Sequence, residues 1–466
     1  MEKKSKYQQL EDKILVKRKS AWSKFSDKEQ KQIFSFSDEY KEFMKKSKTE
    51  RLASATIVSM LEKNGFKNIS NVKSAKPYDK VYKIIKSKTI IAFVVGKNLD
   101  ELRIVGSHLD SPRLDLKPYP VYEETGLALF KTHYYGGIKK YHWVNQPLEL
   151  HGVVHTKNGK KVDISIGEKD DDPKFIISDL LPHLAKKQME RDSKSLIDGE
   201  ELNILVGNIP LDDDSIKSAI KLNIMKKLNE DYGLIEEDFN FAELELVPAV
   251  KPMDIGIDRS MIGAYGHDDK VCAYTSLRAL LDVTKPNNTI VGLFADKEEI
   301  GSVGNTGADS LILHNFAHDY VELTKAKTNP GRILEHSKSI SADVTAGVNP
   351  NYKDVHDLQN ASFVGGGVSV EKYGGSGGKY FSNDTHAEFL AFVRDILDKN
   401  EVPWQTGELG KVDFGGGGTI AMFMSKYGMD CVDVGPCVLG MHSPCEVISK
   451  ADVYSAYKFY KEFFKS

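Results

Sequence analysis

Two short apolar runs, Thr89-Ile90-Ile91-Ala92-Phe93-Val94-Val95 and Leu102-Arg103-Ile104-Val105, lie close together in the chain, and the second passes directly into Gly106-Ser107-His108-Leu109-Asp110. Uninterrupted β-branched runs separated only by the polar stretch GKNLDE predict adjacent strands buried on both faces, as in a sheet covered by helices on each side. A third run, Thr289-Ile290-Val291-Gly292-Leu293-Phe294, is followed within a few residues by Glu298-Glu299. In open α/β sheets, sites assemble at the carboxyl ends of strands. The abrupt change from apolar side chains to imidazole and carboxylate marks these ends as the place where chemistry is expected.

The surrounding pattern is helical before about Gly65, where Ser26 within Phe25-Ser26-Asp27-Lys28-Glu29 offers a cap and Ile57, Met60 and Leu61 recur at helical spacing. This segment is expected to cover one sheet face, and Tyr274 to Val283 reads as a further helix. At 466 residues the chain exceeds the size at which one core usually stops growing, so two domains are expected. The texture changes between 113 and 247, where strand-like pieces such as Leu148–Val154 and Val162–Ile166 alternate with turns and a long polar stretch. The expectation is an α/β fold: a central mixed β-sheet flanked by helices, discontinuous over 1–112 and 248–466. A β-rich unit over 113–247 would be inserted, serving as a lid or a dimerisation surface. No repeat of fixed period and no low-complexity linker interrupts this reading.

Composition narrows the class. Hydrophobic residues at 40% and charged residues at 28% suit a folded globular protein. With 64 basic and 67 acidic residues the net charge is −3, which supplies no general attraction to nucleic acid or to an anionic membrane, and neither is expected as a partner. The charged start, MEKKSKYQQLEDKILVKRKSAW, lacks a signal-peptide core, and no run reaches the roughly 18 apolar residues of a membrane span. Cys272, Cys431, Cys437 and Cys445 form no CxxC pair and read as reduced thiols, which points to a cytoplasmic protein. Cys445, close to His442, is read as a structural thiol in preference to a ligand or nucleophile.

Five segments present metal-capable side chains: SHLDSPR, GHDDK, ADKEEIGS, SADVTAG and MHSPCE. Together they offer the imidazoles of His108 and His442 and several carboxylates, a nitrogen and oxygen donor set suited to zinc, with cobalt or manganese as alternatives, and unlike a thiolate site. A two-metal hydrolase needs a bridging carboxylate, terminal ligands for each ion and a free base. Glu298-Glu299 fits the last two needs, because successive side chains leaving a strand diverge, so one can bind metal while the other faces water. Taken alone the pair reads more readily as solvated charge at a strand end, a reading that the apolar strand before it and the Ile300-Gly301-Ser302 after it weaken. Asp110, two residues after His108, suits a carboxylate that orients a ligating imidazole. Gly377-Gly378-Lys379 invites a phosphate-loop reading, but Tyr380 follows the lysine and the required spacing is absent. Gly415 to Gly418 is expected to permit close backbone approach near the site.

In this order, and with an insertion after the first, the five segments resemble the aspartyl aminopeptidase and aminopeptidase I family of dinuclear zinc metallopeptidases over essentially the whole chain. The resemblance rests on the His with Asp two residues on, the acidic pair followed by Ile-Gly, the Asp before a small-residue turn and Pro-Asn-Tyr, and the final Met-His-Ser. It implies a zinc-peptidase, phosphorylase/hydrolase-like fold and two divalent ions. Asp268 would bridge them, His108 and Asp343 would complete one site, Glu299 and His442 the other, and Glu298 would be the general base. Asp269 competes for the bridging role, and Asp268 is preferred because Asp269 stands where the family usually has Asn. The resemblance also implies that Lys379 contacts substrate, that His183 helps build a neighbouring subunit's site, and that the chain forms a homo-oligomer, a dodecamer admitting short peptides. Animal-type members carry histidines where this chain has Ala346 and Asn349, which puts neutral or broad N-terminal specificity ahead of an acidic one. The rival readings are a related dinuclear carboxypeptidase or deacylase and, from another class, a noncatalytic peptidase-like binding protein.

Overall fold

The strand Asn98–His108 lies near the middle of a nine-stranded mixed sheet in the computed structural model, which describes residues 4–466. In spatial order the strands are Lys67–Asn68, Lys80–Ile85, Thr89–Val94, Asn288–Ala295, Asn98–His108, Lys338–Ser341, Asp430–Gly435, Val368–Glu371 and Trp404–Thr406. The four from Asn288–Ala295 to Asp430–Gly435 run parallel, so their carboxyl ends share one edge. Thr89–Val94 and Val368–Glu371 flank them antiparallel.

Side chains alternate between two cores. Ile90, Ala92 and Val94 enter one, while Ile91, Phe93 and Val95 enter the other. This explains the uninterrupted apolar run, since both faces of the strand are dry, and each fully buried side chain contributes about 1.5–3 kcal/mol. The first core is completed by helices Asp27–Lys46, Glu50–Lys63, His267–Asp282, Ala387–Lys399 and Lys450–Lys465. The second is completed by Ile312–Thr324, Pro330–Glu335 and Ala421–Ser425. Ser26 caps its helix in a reciprocal box with Glu29, as its sequence context predicts.

Two local expectations are corrected. The strands Thr89–Val94 and Asn98–His108 are not adjacent, because Asn288–Ala295 lies between them and pairs with both. The chain crosses the start of that strand at Gly96, where an added Cβ would run into the backbone of Asn288, and Gly96 N donates to Thr289 Oγ1 at 2.9 Å. Most of the polar GKNLDE stretch is accordingly strand, beginning at Asn98. The helix expected from Tyr274 begins at His267, with Asp268 and Asp269 departing from helical backbone angles inside its first turn.

A second, six-stranded antiparallel sheet draws its strands from Arg113 to Pro248, in the order Lys161–Ile166, Leu148–His155, Ala242–Pro248, Arg113–Glu124, Leu127–Tyr135 and Ile204–Gly207. It has its own core around Leu114, Phe130, Trp143, Leu150 and Leu246. Buried charges join it to the helical segment 27–63: Glu50 pairs with Arg113 at 3.2 Å, and Lys48 pairs with Glu149 at 3.0 Å. A small third sheet includes Cys437–Leu439 and Glu446–Ser449, between which the chain carries His442. All four cysteines are free thiols, and no helix among the described residues is long and apolar enough to cross a membrane.

Candidate metal centre and active-site cleft

The parallel strands deliver the expected side chains to one edge. Ala295 lies opposite His108, and Ser341 opposite Gly106, so the segments bearing Glu298, Glu299 and Asp343 leave the sheet beside His108 and Asp110. Asp268 comes from the start of the His267–Asp282 helix and His442 from the third sheet.

Asp268 stands between the two imidazoles. Its Oδ1 is 3.2 Å from His108 Nε2, and its Oδ2 is 3.1 Å from His442 Nε2. Glu299 Oε2 is 3.3 Å from His442 Nε2, while Asp343 Oδ1 and Glu298 Oε2 lie 3.8 and 3.9 Å from His108 Nε2. Two sets of donor atoms therefore converge within 4.8 Å, one from His108, Asp268 and Glu299 and one from His108, Glu298 and Asp343. Cys445 belongs to neither set.

These residues fit divalent cations. His108 Nε2 and Glu299 Oε1 are buried without a hydrogen-bond partner, an arrangement that costs free energy unless something positive lies between them. Burial, followed by the charges of Asp343, Asp110 and Asp268, pushes the Glu298 carboxyl up to about 8 despite the opposing influence of His108. Burial and the Asp268 charge push Glu299 well up. Burial would lower His442, but its hydrogen bond to Asp268 and the Glu299 charge outweigh this and raise it to about 10. So many carboxylates packed together are electrostatically frustrated without cations, and the nitrogen and oxygen donor set is one that zinc accepts.

Asp110 does more than touch His108. Its backbone carbonyl lies 3.1 Å from His108 Nδ1, placing the proton there and leaving Nε2 as the donor atom. Its carboxylate accepts from Glu298 N and Glu299 N, each at 3.1 Å, and from the Tyr135 hydroxyl at 2.9 Å. The acidic pair itself sits on a tight turn, Glu298–Ile300, between Lys297 and Gly301, both with positive φ. The divergence of Glu298 and Glu299 thus comes from this turn and not, as strand alternation would suggest, from the pleat.

Asp268 and Asp269 have different surroundings, and the peptide between them is cis. Asp269 Oδ2 accepts from His108 N at 3.2 Å, so this carboxylate faces the backbone behind the imidazole, whereas both oxygens of Asp268 face imidazole nitrogens.

Three contributors escape sequence reading. Glu446 is buried and joins Asp268 to His442 by their backbones, its Oε2 accepting from Asp268 N at 3.0 Å and its Oε1 from His442 N at 2.8 Å. It closes the MHSPCE segment, and its position four residues after His442 was the available signal. Tyr135 and Gly137 come from the second sheet and its exit. Gly137 O lies 2.7 Å from His442 Nδ1, which sets that ring with Nε2 toward Asp268. Nothing local to Tyr-Gly-Gly announces this role.

The centre opens into a cleft of about 810 Å³ whose walls include Glu371, Tyr373, Lys379 and Glu408. The two glycine tracts meet on its wall: Gly375 N donates to Gly417 O at 2.7 Å, and a Cβ on Gly416 would strike the Gly375 carbonyl. Lys379 lies in this cleft but is engaged, pairing with Asp384 at 3.0 Å with its ammonium 3.8 Å from the Tyr373 ring centroid. His183 is exposed, outside the lining of the cleft.

Residues 43–464 match the family model described as aminopeptidase I zinc metalloprotease (M18). A probable M18 family aminopeptidase 1 of Thermotoga maritima is 48% identical over 450 residues, covering 96% of this chain and 98% of that protein. Its counterpart from Clostridium acetobutylicum is 46% identical over 463 residues, covering 97% and 98%. The crystal structure of an M18 family aminopeptidase from Thermotoga maritima superposes with a TM-score of 0.93 at 47% identity, covering 97% of this chain and all of the other. The yeast mApe1 dodecamer shares the fold at 22% identity and a TM-score of 0.74.

Proposed function

The chain belongs to the aminopeptidase I zinc metalloprotease family, M18, and from that premise we propose that it removes the N-terminal residue from short peptides at a centre for two zinc ions. The observation that carries this reading is Asp268, a single carboxylate whose two oxygens each face a different imidazole. Asp268 would bridge the ions, His108 and Asp343 would hold one, and Glu299 and His442 the other. When bound, such ions polarise the scissile carbonyl and acidify water.

Glu298 is the general base. It takes a proton from the attacking water and delivers it to the amine nitrogen as the carbon–nitrogen bond breaks, so the hydrolysis balances without a covalent intermediate. Asp110 positions this base by accepting from its backbone N–H, and it holds His108 in the ligating tautomer. The segments 1–112 and 248–466 form the catalytic unit, with 113–247 as an inserted lid or dimerisation unit. The chain assembles into a homo-oligomer, a dodecamer like that of the yeast relative, in which His183 reaches a neighbouring copy's site and Lys379 contacts substrate.

Replacement of Glu298 tests the assignment. Glu298→Gln is expected to bind zinc with unchanged stoichiometry by calorimetry and to hydrolyse leucine arylamide about 10²–10⁴-fold more slowly. Unchanged hydrolysis would remove Glu298 from the role of base. Turnover of N-acylated amino acids alone would replace the aminopeptidase by a deacylase or carboxypeptidase.

A further inference from the structure

Ser111 and Lys270 belong to the SHLDSPR and GHDDK segments but to neither set of converging donor atoms, and both are buried beside Asp268. Lys270 Nζ lies 2.5 Å from Ser111 Oγ, its one hydrogen-bond partner among the described residues, and Ser111 Oγ lies 2.6 Å from the Asp268 carbonyl oxygen. The direction of this chain of bonds is fixed. A carbonyl only accepts, so the Ser111 proton is given to Asp268 O and the hydroxyl oxygen accepts from Lys270. Space around the pair is closed: a Cβ on Gly266, whose φ is +77°, would come within 2.8 Å of both Lys270 Nζ and Ser111 Oγ. A fully buried lysine with one polar partner costs desolvation free energy that an apolar side chain of its size would not, so packing alone does not account for it.

Asp268 is where the bonds lead, and its backbone lacks the hold of a helix. Its φ of −75° is helical but its ψ is 106°, against about −42° in a helix, so its carbonyl turns away from the direction taken by those of the following turns. Side chains act in the helix's place on both sides of its Cα: Glu446 Oε2 accepts from Asp268 N at 3.0 Å, and Ser111 donates to Asp268 O. Fixing both peptide groups fixes the direction in which the side chain leaves the backbone, without occupying either carboxylate oxygen. Oδ1 and Oδ2 stay toward His108 and His442. Lys270 completes the arrangement, because a hydroxyl turns to suit its surroundings until its oxygen is engaged, and a charged donor on that oxygen strengthens the bond it makes onward.

We propose that Ser111 and Lys270 are positioning residues for Asp268: by holding its carbonyl they aim the bridging carboxylate between the two imidazoles and set how tightly the pair of zinc ions is bound. The proposal rests on the reading of Asp268 as the bridge. Neither residue touches the reacting atoms; both act through the Asp268 backbone.

The test measures zinc affinity by chelator competition and the number of ions per chain by metal analysis, on the full chain and on Ser111→Ala, Lys270→Met, the double variant and Asp268→Asn. Ser111→Ala and Lys270→Met are each expected to raise the dissociation constant of the weaker ion by about tenfold or more. Ser111→Ala alters no charge, so its loss reports position alone. By charge alone Lys270→Met would tighten zinc binding, so a weakened affinity there also reports position. The double variant is expected to bind no more weakly than Ser111→Ala, because the two side chains act along one path. Unchanged zinc affinity in Ser111→Ala with a lowered Tm of the metal-free chain makes the pair structural and overturns the proposal, as does tighter zinc binding by Lys270→Met or a fully additive loss in the double variant; each leaves Asp268 as the bridge. Should Lys270→Met fail to fold, the Ser111→Ala affinity decides by itself. Undiminished binding of two ions by Asp268→Asn overturns the bridging reading, and the proposal with it.

Discussion

The Tyr135 hydroxyl, at the end of a strand of the six-stranded sheet, donates at 2.9 Å to Asp110 Oδ2, two residues beyond a strand of the nine-stranded sheet. Asp110 in turn holds the amides of Glu298 and Glu299 and sets the His108 ring. Arg113 lies over the Tyr135 ring, 3.9 Å from its centroid, and is anchored by Glu50 at 3.2 Å. The second sheet thereby acts on both the proposed base, Glu298, and a proposed metal ligand, His108, without entering either role.

Tyr135→Phe removes only the hydroxyl. It is expected to weaken zinc binding and lower kcat by about tenfold, the effect of losing an outer partner of a ligating group. Chelator competition measures the affinity. An unchanged affinity would mean that the two backbone amides suffice to hold Asp110.

Glu446 accepts from the backbone amides of Asp268 and His442. Glu446→Ala strands two buried donors and is expected to cost about 1–3 kcal/mol for each, read as a lower Tm together with loss of zinc. Glu446→Gln keeps one acceptor oxygen and is expected to fall between the original chain and the alanine variant. Equal Tm values for the two variants would show that the amides find other partners.

Away from the centre, Asp254 links three cations: Lys41 at 2.7 Å, the buried Lys450 at 2.9 Å and Arg259 at 2.6 Å. Partial burial would raise its carboxyl, but these partners outweigh it and hold the group well below the ordinary carboxylate range. A carboxyl lowered on folding contributes stability that is complete above its unfolded pKa and is lost as pH falls through the ordinary carboxylate range and below. Asp254→Asn is therefore expected to destabilise the protein at neutral pH by about 3 kcal/mol, chiefly by leaving Lys450 without its carboxylate. Denaturation followed from neutral to acid pH should show the difference between variant and original chain shrinking; a constant difference would refute the linkage.

The sequence by itself determined the elements and the chemically competent residues. Strand runs buried on both faces, the Ser26–Glu29 cap and the His, Asp and Glu segments at strand ends depend on local periodicity and side-chain type, which neighbours in the chain express directly. Only the tertiary structure decided which strands are neighbours, since the placing of Asn288–Ala295 between two runs close in sequence depends on pairing across the fold. It likewise separated the surroundings of Asp268 and Asp269, which local pattern leaves equivalent, and brought in Tyr135, Gly137 and Glu446. Gly137 meets His442 across 305 residues, and Asp268 meets Glu446 across 178. Such contacts form between groups that share no local pattern, because their free energy is realised only when the sheets and helices bring them together.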